Sequence, residues 1–453
     1  MALVNAGARL DRLPISGFHY RIMWLIGIGM FFDGFDIYLS ASVLGALVAS
    51  GFSTLHLNAT FVSVTFAGLV IGSFATGFLG DRFGRRFTYQ FNLALFGLAS
   101  IAAGFAPTMP VLILIRFFIG IGLGAEIVVG YGTLTEFVPP AVRGKWLGGM
   151  AVFVVTALPV ATLVGRFVIP TIGWHWMFAI AGVGALIVWY LRKTLPESPR
   201  WLESVGRDAE AERVLTAIET EVAAGTPLPP VLATSAAPHV PVSLTSHEML
   251  VRLFVGAVMM IVVNTLLYGF VTWIPTFFVN EGLSVAKSVG FSAVMALGAP
   301  VGSAIGAFTA DSWGRKRTII GASLVTILFG AIYPFVHDPA LVMLVGFLLV
   351  TPIYVMVAVE IGIYVSELFP TEIRMRGAGI SNTFGRAATI VTPFLIVWLL
   401  QGHGVAGVLA FMIALLIVQI VVVWTLGVEP RKRSLEEIDP DAGMLAVAVQ
   451  ASR

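Results

Sequence analysis

The chain has 453 residues, 58% of them hydrophobic and only 11% charged, with a mean hydropathy of +0.93. A water-facing surface needs roughly 25–35% charged residues, so 25 acids and 27 bases cannot cover a globule of this size, and soluble enzymes and nucleic-acid binders are excluded in favour of a membrane protein. The absence of cysteine removes disulfides, thiolate catalysis and Cys-ligated metal, while the net charge of +2 says little, because in a membrane protein the placement of bases outweighs their sum.

The N-terminal stretch MALVNAGARLDRLPISGFHYR is polar and basic and lacks the apolar core and small-residue cleavage site of a signal peptide, so the first span is expected to be retained. Apolar runs follow near residues 22–48, 59–80, 87–106, 111–137, 146–170 and 174–192. After a polar break, six more lie near 251–279, 288–310, 318–336, 340–368, 376–399 and 405–427. Each reaches the about 20 residues that cross ~30 Å of hydrocarbon. Each must be a helix, since any other backbone would leave amides unpaired in lipid, and 48 glycines suit close helix packing. The expectation is an all-α membrane protein of twelve transmembrane helices in two pseudo-symmetric six-helix bundles. The break itself carries a polar amphipathic helix over residues 203–221 and then a Pro/Ala-rich tether. The boundaries expected are an N-terminal bundle at 1–194, a cytoplasmic linker at 195–250, a C-terminal bundle at 251–430 and a cytoplasmic tail at 431–453.

With these spans, 23 of the 27 Lys and Arg residues fall on one side, Arg192 and Arg252 among them. Only Lys287 falls on the other, and Arg116, Arg166 and Arg386 lie inside spans. The positive-inside rule then predicts a multi-pass protein of the cell (plasma or inner) membrane with both termini cytoplasmic. The halves also repeat: GDRFGRRF at 80–87 returns as ADSWGRKR at 310–317, and TEFVPPAVRG at 135–144 returns as SELFPTEIR at 366–374. Asp81 to Asp311 is 230 positions and Glu136 to Glu367 is 231, so two motifs give one offset. Duplicated six-helix bundles are a transporter architecture with the substrate site at the repeat interface.

These residues resemble the major facilitator superfamily over almost the whole chain. Gly77, Asp81, Arg82, Gly84, Arg85 and Arg86 match its signature loop between spans 2 and 3, and Asp311, Gly314 and Arg315 repeat it, with Ala307 for the first glycine and Ser312 for the first base. Arg116, Gly120, Gly122 and Gly124 on span 4, Glu136 and Arg143 after it, Pro196, Glu197, Ser198, Pro199 and Arg200 after span 6, and the stretch from Glu367 to Arg374 resemble the sugar-porter and organic-ion branch. Asp33, Gly34, Phe35 and Asp36 resemble the aromatic-acid proton symporters. Sugar porters usually show paired glutamines on span 7, where this chain has Asn264, Thr265, Leu266, Leu267 and Tyr268; a hexose is therefore not the expected substrate. Pro159 stands between Leu158 and Val160, without the glycines of drug antiporters, which weakens an export reading.

An ionised side chain at mid-bilayer costs about 2.5–3.5 kcal/mol on insertion scales and needs a partner, water or a function. Asp33 and Asp36 lie roughly 16 and 21 Å along span 1 and share a face, and two such neighbouring carboxylates resist ionising together; the alternative is that Asp33 caps a kink at Gly34. Arg116 can reach the depth of Asp36 or snorkel to the outer headgroups. The resemblance implies that the acid at Asp36 and the base at Arg116 form a proton switch. Glu126 faces nearly the same way as Arg116 and reads as a second proton site, a substrate contact or a structural hydrogen bond to span 1 or 5. Arg386 suits a carboxylate, which a guanidinium holds by two parallel bonds, or belongs to the gate. Arg166 reads as a snorkelling anchor, and Glu360 as a packing partner on span 10. Tyr38, Tyr268, Trp273, Tyr354 and Phe384 are candidate cavity aromatics with Asn264 and Asn382 beside them, packing being the alternative. By resemblance Asp81 and Arg85 form a cytoplasmic latch, completed by Glu136 with Arg143 and Glu367 with Arg374.

The sequence therefore points to a proton-coupled symporter bringing a small organic anion, such as an aromatic acid, into the cell by alternating access. A sugar or polyol symporter is the alternative, with an exporter or a non-transporting sensor behind it. No His-Glu-x-x-His stretch supports an intramembrane enzyme, and all seven His lie outside or at the ends of spans, so neither cofactor nor metal is expected. The expected partners are the substrate, protons and the bilayer, with the monomer as the working unit.

Overall fold

The computed structural model describes residues 4–223, 225, 227–231, 246–369 and 373–429, and within these the side chains of residues 76–78, 80, 81, 125, 127, 128, 140, 141, 311, 366, 374 and 375 are not described. The first half holds α1 (Ala6–Asp11), α2 (Gly17–Ala49), α3 (Leu55–Phe83), α4 (Arg85–Ala103), α5 (Met109–Phe137), α6 (Pro140–Val155), α7 (Ala157–Ile172), α8 (His175–Leu191), α9 (Pro199–Ser204) and α10 (Asp208–Ala223). The second holds α11 (His247–Gly269), α12 (Ile274–Asn280), α13 (Val285–Ala296), α14 (Gly298–Ser312), α15 (Arg315–Ile332), α16 (Pro339–Met356), a π-helical segment (Val357–Tyr364), α17 (Val365–Glu367) and α18 (Arg374–Leu426).

Ten stretches among the described residues are long and apolar enough to cross a membrane. The last of them is two spans joined at Gly404, whose φ of +63° and ψ of −162° interrupt α18. The remaining span is α4, 19 residues and about 28 Å long, made less apolar by Arg85, Arg86, Gln90 and Asn92. The chain thus forms twelve spans, two compact units of six. The first holds α1–α10 and the second α11–α18, apart from residues 282–290, which group with the first.

Glycine sets the closest contacts. A Cβ on Gly68 or Gly72 of α3 would lie 2.2 or 1.9 Å from the carbonyl oxygens of Phe117 and Ile121, and one on Gly120 or Gly124 of α5 would lie 2.1 or 2.0 Å from those of Thr65 and Leu69. Two small-residue ridges therefore let α3 and α5 touch backbone to backbone, as membrane helices do where water supplies no driving force. Gly302, 230 positions after Gly72, stands 2.1 Å by the same measure from the Thr351 carbonyl of α16, so the packing device is duplicated with the sequence.

The segment expected as a linker begins with structure that belongs to the first unit. Trp201 and Leu202 of α9 and Ala211 and Leu215 of α10 bury against Leu10 and Leu13 near α1 and against Phe18, Ile22 and Phe137 of the bundle. Arg9 pairs with Glu212 and Glu219, and Arg12 with Glu219, each at 2.6 Å. The Glu203 carboxylate accepts from the backbone N–H groups of Asn5 at 2.7 Å and Ala6 at 2.9 Å, closing the start of α1.

Candidate functional site

In the first unit, α2 runs unbroken through Gly34, and the Asp33 carboxylate accepts no hydrogen bond from the described residues, so it caps nothing there. α5 runs antiparallel to α2 and brings Arg116 to Asp36: Nη1 donates to Oδ2 at 2.6 Å, with the two side chains 1% and 0% exposed. Arg116 Nε donates to Thr65 Oγ1 at 3.1 Å and Nη2 to Ser40 Oγ at 3.3 Å, while Ser100 Oγ donates to Asp36 Oδ1 at 3.4 Å. The guanidinium also sits 4.7 Å from the centre of the Phe61 ring. A buried ion pair holds only when further hydrogen bonds offset its desolvation, and Thr65, Ser40 and Ser100 supply them. Arg116 does not snorkel outward. Protonating Asp36 would remove its counter-charge, so the contact can be switched by one proton.

One turn along α2, Asp33 is equally buried, and neither of its oxygens has a hydrogen-bond partner among the described residues. Glu126 forms an ion pair with Arg192, both buried. This corrects two expectations. Arg192, counted among the cytoplasmic loop bases, is fully buried at the end of α8, where Nε donates to the Leu25 carbonyl at 2.7 Å and Nη2 to that of Ile26 at 2.8 Å. Glu126 therefore meets a base after span 6 rather than hydrogen-bonding to span 1 or 5. Arg252, counted with the same loop bases, is also buried, donating to the Leu368 carbonyl at 3.0 Å and pairing with Glu248.

In the second unit, Arg386 of α18 is half-buried, and its Nη1 is buried without a hydrogen-bond partner among the described residues. Gly385 brings this turn against α11, close to Asn264. The amide nitrogens of Asn264 and Asn382 are spent on their own helices, donating to the Met260 carbonyl at 2.7 Å and the Ala378 carbonyl at 2.9 Å. Tyr268, Trp273 and Tyr354 are buried, with no hydrogen-bond partner for the Trp273 indole nitrogen among the described residues. Phe384 is exposed, and Tyr38 is buried within the first unit. Glu360, in the π-helical segment, accepts from Gln419 Nε2 at 2.7 Å. Arg166 is exposed near the end of α7. No cluster of His, Asp and Glu able to hold a metal occurs among the described residues.

The loop ends repeat one device twice. Gly84 and Gly314 take φ of +93° and +100°, conformations open to glycine, and turn the chain into α4 and α15. The backbone N–H of Arg85 donates to Glu197 at 2.9 Å and that of Arg86 at 3.2 Å. In the second unit those of Arg315 and Lys316 donate to Glu429, each at 3.0 Å. A carboxylate thus sits on each helix N-terminus, where free amides and the helix dipole favour an anion. Burial pushes the Glu197 carboxyl above the usual range, against the N–H groups of Ser198, Arg86 and Arg85. Arg85 Nε pairs with Glu136 at 3.2 Å, and Arg315 holds Glu367 through Nε at 2.9 Å and Nη2 at 3.1 Å. This corrects the pairing of Glu136 with Arg143, which instead donates to the Val138 carbonyl and lies 3.7 Å from Asp11. Arg82 is exposed beside the Phe83 ring. The expectations for Gly77, Asp81, Asp311 and Arg374 fall outside the described side chains.

The model of the family described as "Sugar (and other) transporter" matches residues 23–442. The chain belongs to that family. It is thereby a membrane transporter of the major facilitator superfamily and not an enzyme. The inner membrane metabolite transport protein YdjE of Escherichia coli (strain K12) is 38% identical over 95% of this chain and 98% of its own. The niacin transporter NiaP of Acinetobacter baylyi is 31% identical over 95% and 99%. A crystal structure of a D-xylose-proton symporter superposes with a TM-score of 0.71 over 90% of this chain and 98% of the other at 18% identity, which speaks for the fold.

Sequence reasoning about this transporter missed Arg192, Glu429 and Gln419 as partners, and left Glu197 without a role. Glu197 and Glu429 had a signal: LPESPR at 195–200 and VEPRKR at 428–433 each put a Glu-containing, Pro-flanked turn after the last span of a half.

Proposed function

We propose that this transporter is a proton-coupled symporter that brings a small organic anion, an aromatic or other carboxylate metabolite, into the cell. The observation that carries the coupling is the buried pair of Asp36 and Arg116, a counter-ion contact that one proton breaks. Asp33 and Glu126 belong to the same proton machinery. Arg386, with a buried guanidinium nitrogen that has no partner among the described residues, is the cation for the substrate carboxylate; Tyr38, Asn264, Tyr268, Trp273, Tyr354 and Asn382 are the further substrate contacts of this reading. Similarity to a niacin transporter supports an aromatic carboxylate, and similarity to an inner membrane metabolite transport protein supports that membrane. The loop-end residues Arg82, Gly84, Arg85, Arg86, Glu136, Arg143, Gly314, Arg315 and Glu367, with Gly77, Asp81, Asp311 and Arg374, form the cytoplasmic gate. Both termini are cytoplasmic, and the monomer is the working unit.

The deciding experiment is uptake into proteoliposomes of a panel of carboxylates and sugars, with and without an inward proton gradient, by the wild type and Arg386→Lys. The substitution keeps the charge and loses the planar fork, so affinity for a cognate acid should fall about 5- to 150-fold, as a charge-assisted hydrogen bond predicts. Transport of the neutral amide or alcohol analogue as good as that of the acid would reject the anion. The sugar or polyol symporter, to which Asp36 and Arg116 serve equally well and which the fold likeness to a D-xylose-proton symporter favours, would then take its place.

A further inference from the structure

We infer that Asp33, Glu126 and Arg192 form a second proton-holding centre in the first bundle, in which the two acids share Arg192 as their one counter-charge and pass the proton from Asp36 toward the signature-loop end. The inference rests on the proton-coupled reading and adds to it a positioning residue and a direction.

Charge counting leads to it. Among the described residues, the first bundle buries three acids, Asp33, Asp36 and Glu126, against two arginines, Arg116 and Arg192. Arg116 is taken by Asp36 and Arg192 by Glu126 as ion pairs, so Asp33 is the buried acid with neither an ion pair nor a hydrogen bond among the described residues; the Glu126 oxygens also lack a hydrogen bond, and Arg192 is their one charged partner. A centre of two carboxylates and one guanidinium carries one negative charge, which is room for one proton.

The groups form a ladder. Asp36 to Asp33 is three residues of α2, a rise of about 4.5 Å, and Asp33 to Gly29 is four more, about 6 Å. Glu126 lies at the level of Gly29, its Oε1 2.9 Å and Arg192 Nη2 1.9 Å from where a Cβ on Gly29 would stand. Only glycine leaves room there for the pair. Arg192 continues the ladder through Leu25 and Ile26 to the end of the bundle that holds the signature loop, where Arg86 Nη2 donates to the Lys193 carbonyl at 2.8 Å. The other titratable groups facing the centre are Asp36 with Arg116, and Tyr89 of α4, whose ring lies 4.7 Å from the Arg192 guanidinium and whose hydroxyl donates to the Val129 carbonyl at 2.7 Å. Glu136 follows beyond Tyr89.

The steps balance. Asp36, protonated and released from Arg116, gives its proton to the Asp33 carboxylate; Asp36 becomes an anion again and re-pairs with Arg116, and Asp33 becomes neutral. Asp33 passes the proton to Glu126, whose carboxylate leaves Arg192, and the freed Asp33 carboxylate replaces it as the partner of Arg192. Loss of the proton from Glu126 to water at the loop end restores the start.

The test reads protons without needing the substrate. Infrared difference spectra of the purified, lipid-reconstituted transporter are recorded between acid and alkaline buffer for the wild type, Asp33→Asn, Glu126→Gln, Arg192→Gln and Arg192→Lys. Asp36 and the buried Glu360 can also carry a protonated-carboxyl signal, so the band of the centre is the part of the wild-type difference spectrum that Asp33→Asn removes; it should be missing from Glu126→Gln too, because removing either acid leaves the other a full partner for Arg192. In Arg192→Gln its midpoint should rise by about 1–3 pH units, the effect of losing an opposite charge within ~4–6 Å, and Arg192→Lys should restore it. Asp33→Asn removes no hydrogen bond, so it keeps the test decisive if Arg192→Gln does not fold. Survival in Glu126→Gln of the band that Asp33→Asn removes, its midpoint unmoved in a folded Arg192→Gln, or its displacement by sodium at constant pH would each overturn the centre. If uptake by the wild type ignores a proton gradient, the coupling reading and the relay fall together; if Asp36→Asn uncouples uptake while the Asp33, Glu126 and Arg192 variants match the wild type in spectrum and coupling, only the relay does.

Discussion

Asp36→Asn and Arg116→Gln, taken singly and together, measure what the central ion pair is worth. The asparagine keeps the shape of the aspartate and can still accept from Arg116, but it leaves a guanidinium that is 1% exposed without a counter-ion. Breaking one side of a buried pair costs about 3–5 kcal/mol, and Arg116→Gln should cost about as much from the other side. The double variant buries no net charge at this position and loses chiefly the bonds to Thr65 and Ser40, about 1 kcal/mol each. It should therefore stand about 2 kcal/mol below the wild type, far from the summed single effects of about 6 kcal/mol or more, with a coupling of at least about 4 kcal/mol. Equilibrium unfolding in mixed micelles measures all four corners. Additivity within about 0.5 kcal/mol, or single costs below about 1 kcal/mol, would show that water already screens the pair and that the proton argument has no electrostatic basis. In proteoliposomes Asp36→Asn should keep counterflow exchange, which needs no net proton movement, and lose accumulation driven by a pH gradient.

Gly72→Ala and Gly302→Ala each put a methyl about 2 Å from a facing carbonyl oxygen, so both should depress folded yield in detergent, whereas Gly321→Ala, with nothing within 4 Å, should not. Glu197→Gln and Glu429→Gln remove the carboxylate from the starts of α4 and α15; a loss of about 1–3 kcal/mol locally should appear as faster hydrogen exchange at residues 85–88 and 315–318, and unchanged exchange would contradict the capping role. Glu219 gives a pH dependence. Burial alone would raise its carboxyl, but hydrogen bonds from Arg9 and Arg12 outweigh this and hold it below the ordinary value of 4.5. Its contribution is thus complete above that value and is lost as pH falls through the lower folded one, so exchange at residues 5–12 should accelerate only below about pH 4.5; acceleration that begins near neutral pH would point to another group.

Much of this transporter is legible along the chain because hydrocarbon enforces simple rules. A backbone in lipid must be helical, so twenty-residue apolar runs give the spans, and the break between the last two was visible around Gly404. The duplicated motifs gave the two halves, whose correspondence extends to packing glycines and loop-end carboxylates. The contact of Arg116 with Asp36 was within reach of sequence, since a charge at mid-depth needs a partner and few exist there.

Sequence could not decide which way a residue at a helix end points. Arg192 stands beside Lys193 like any basic pair at the membrane edge, and it turns inward because α8 packs against α2 at Gly29, which leaves room for a guanidinium, and because the Leu25 and Ile26 carbonyls accept from it. Glu136 had bases on both sides, and it is the meeting of α4 with α5 that gives it Arg85 rather than Arg143. Composition and periodicity fix which segments cross the membrane and roughly how deep each charge lies. The rotation of each helix about its axis, which pairs those charges, is set by side-chain volumes on neighbouring helices far away in sequence, and only the packed bundle contains that information.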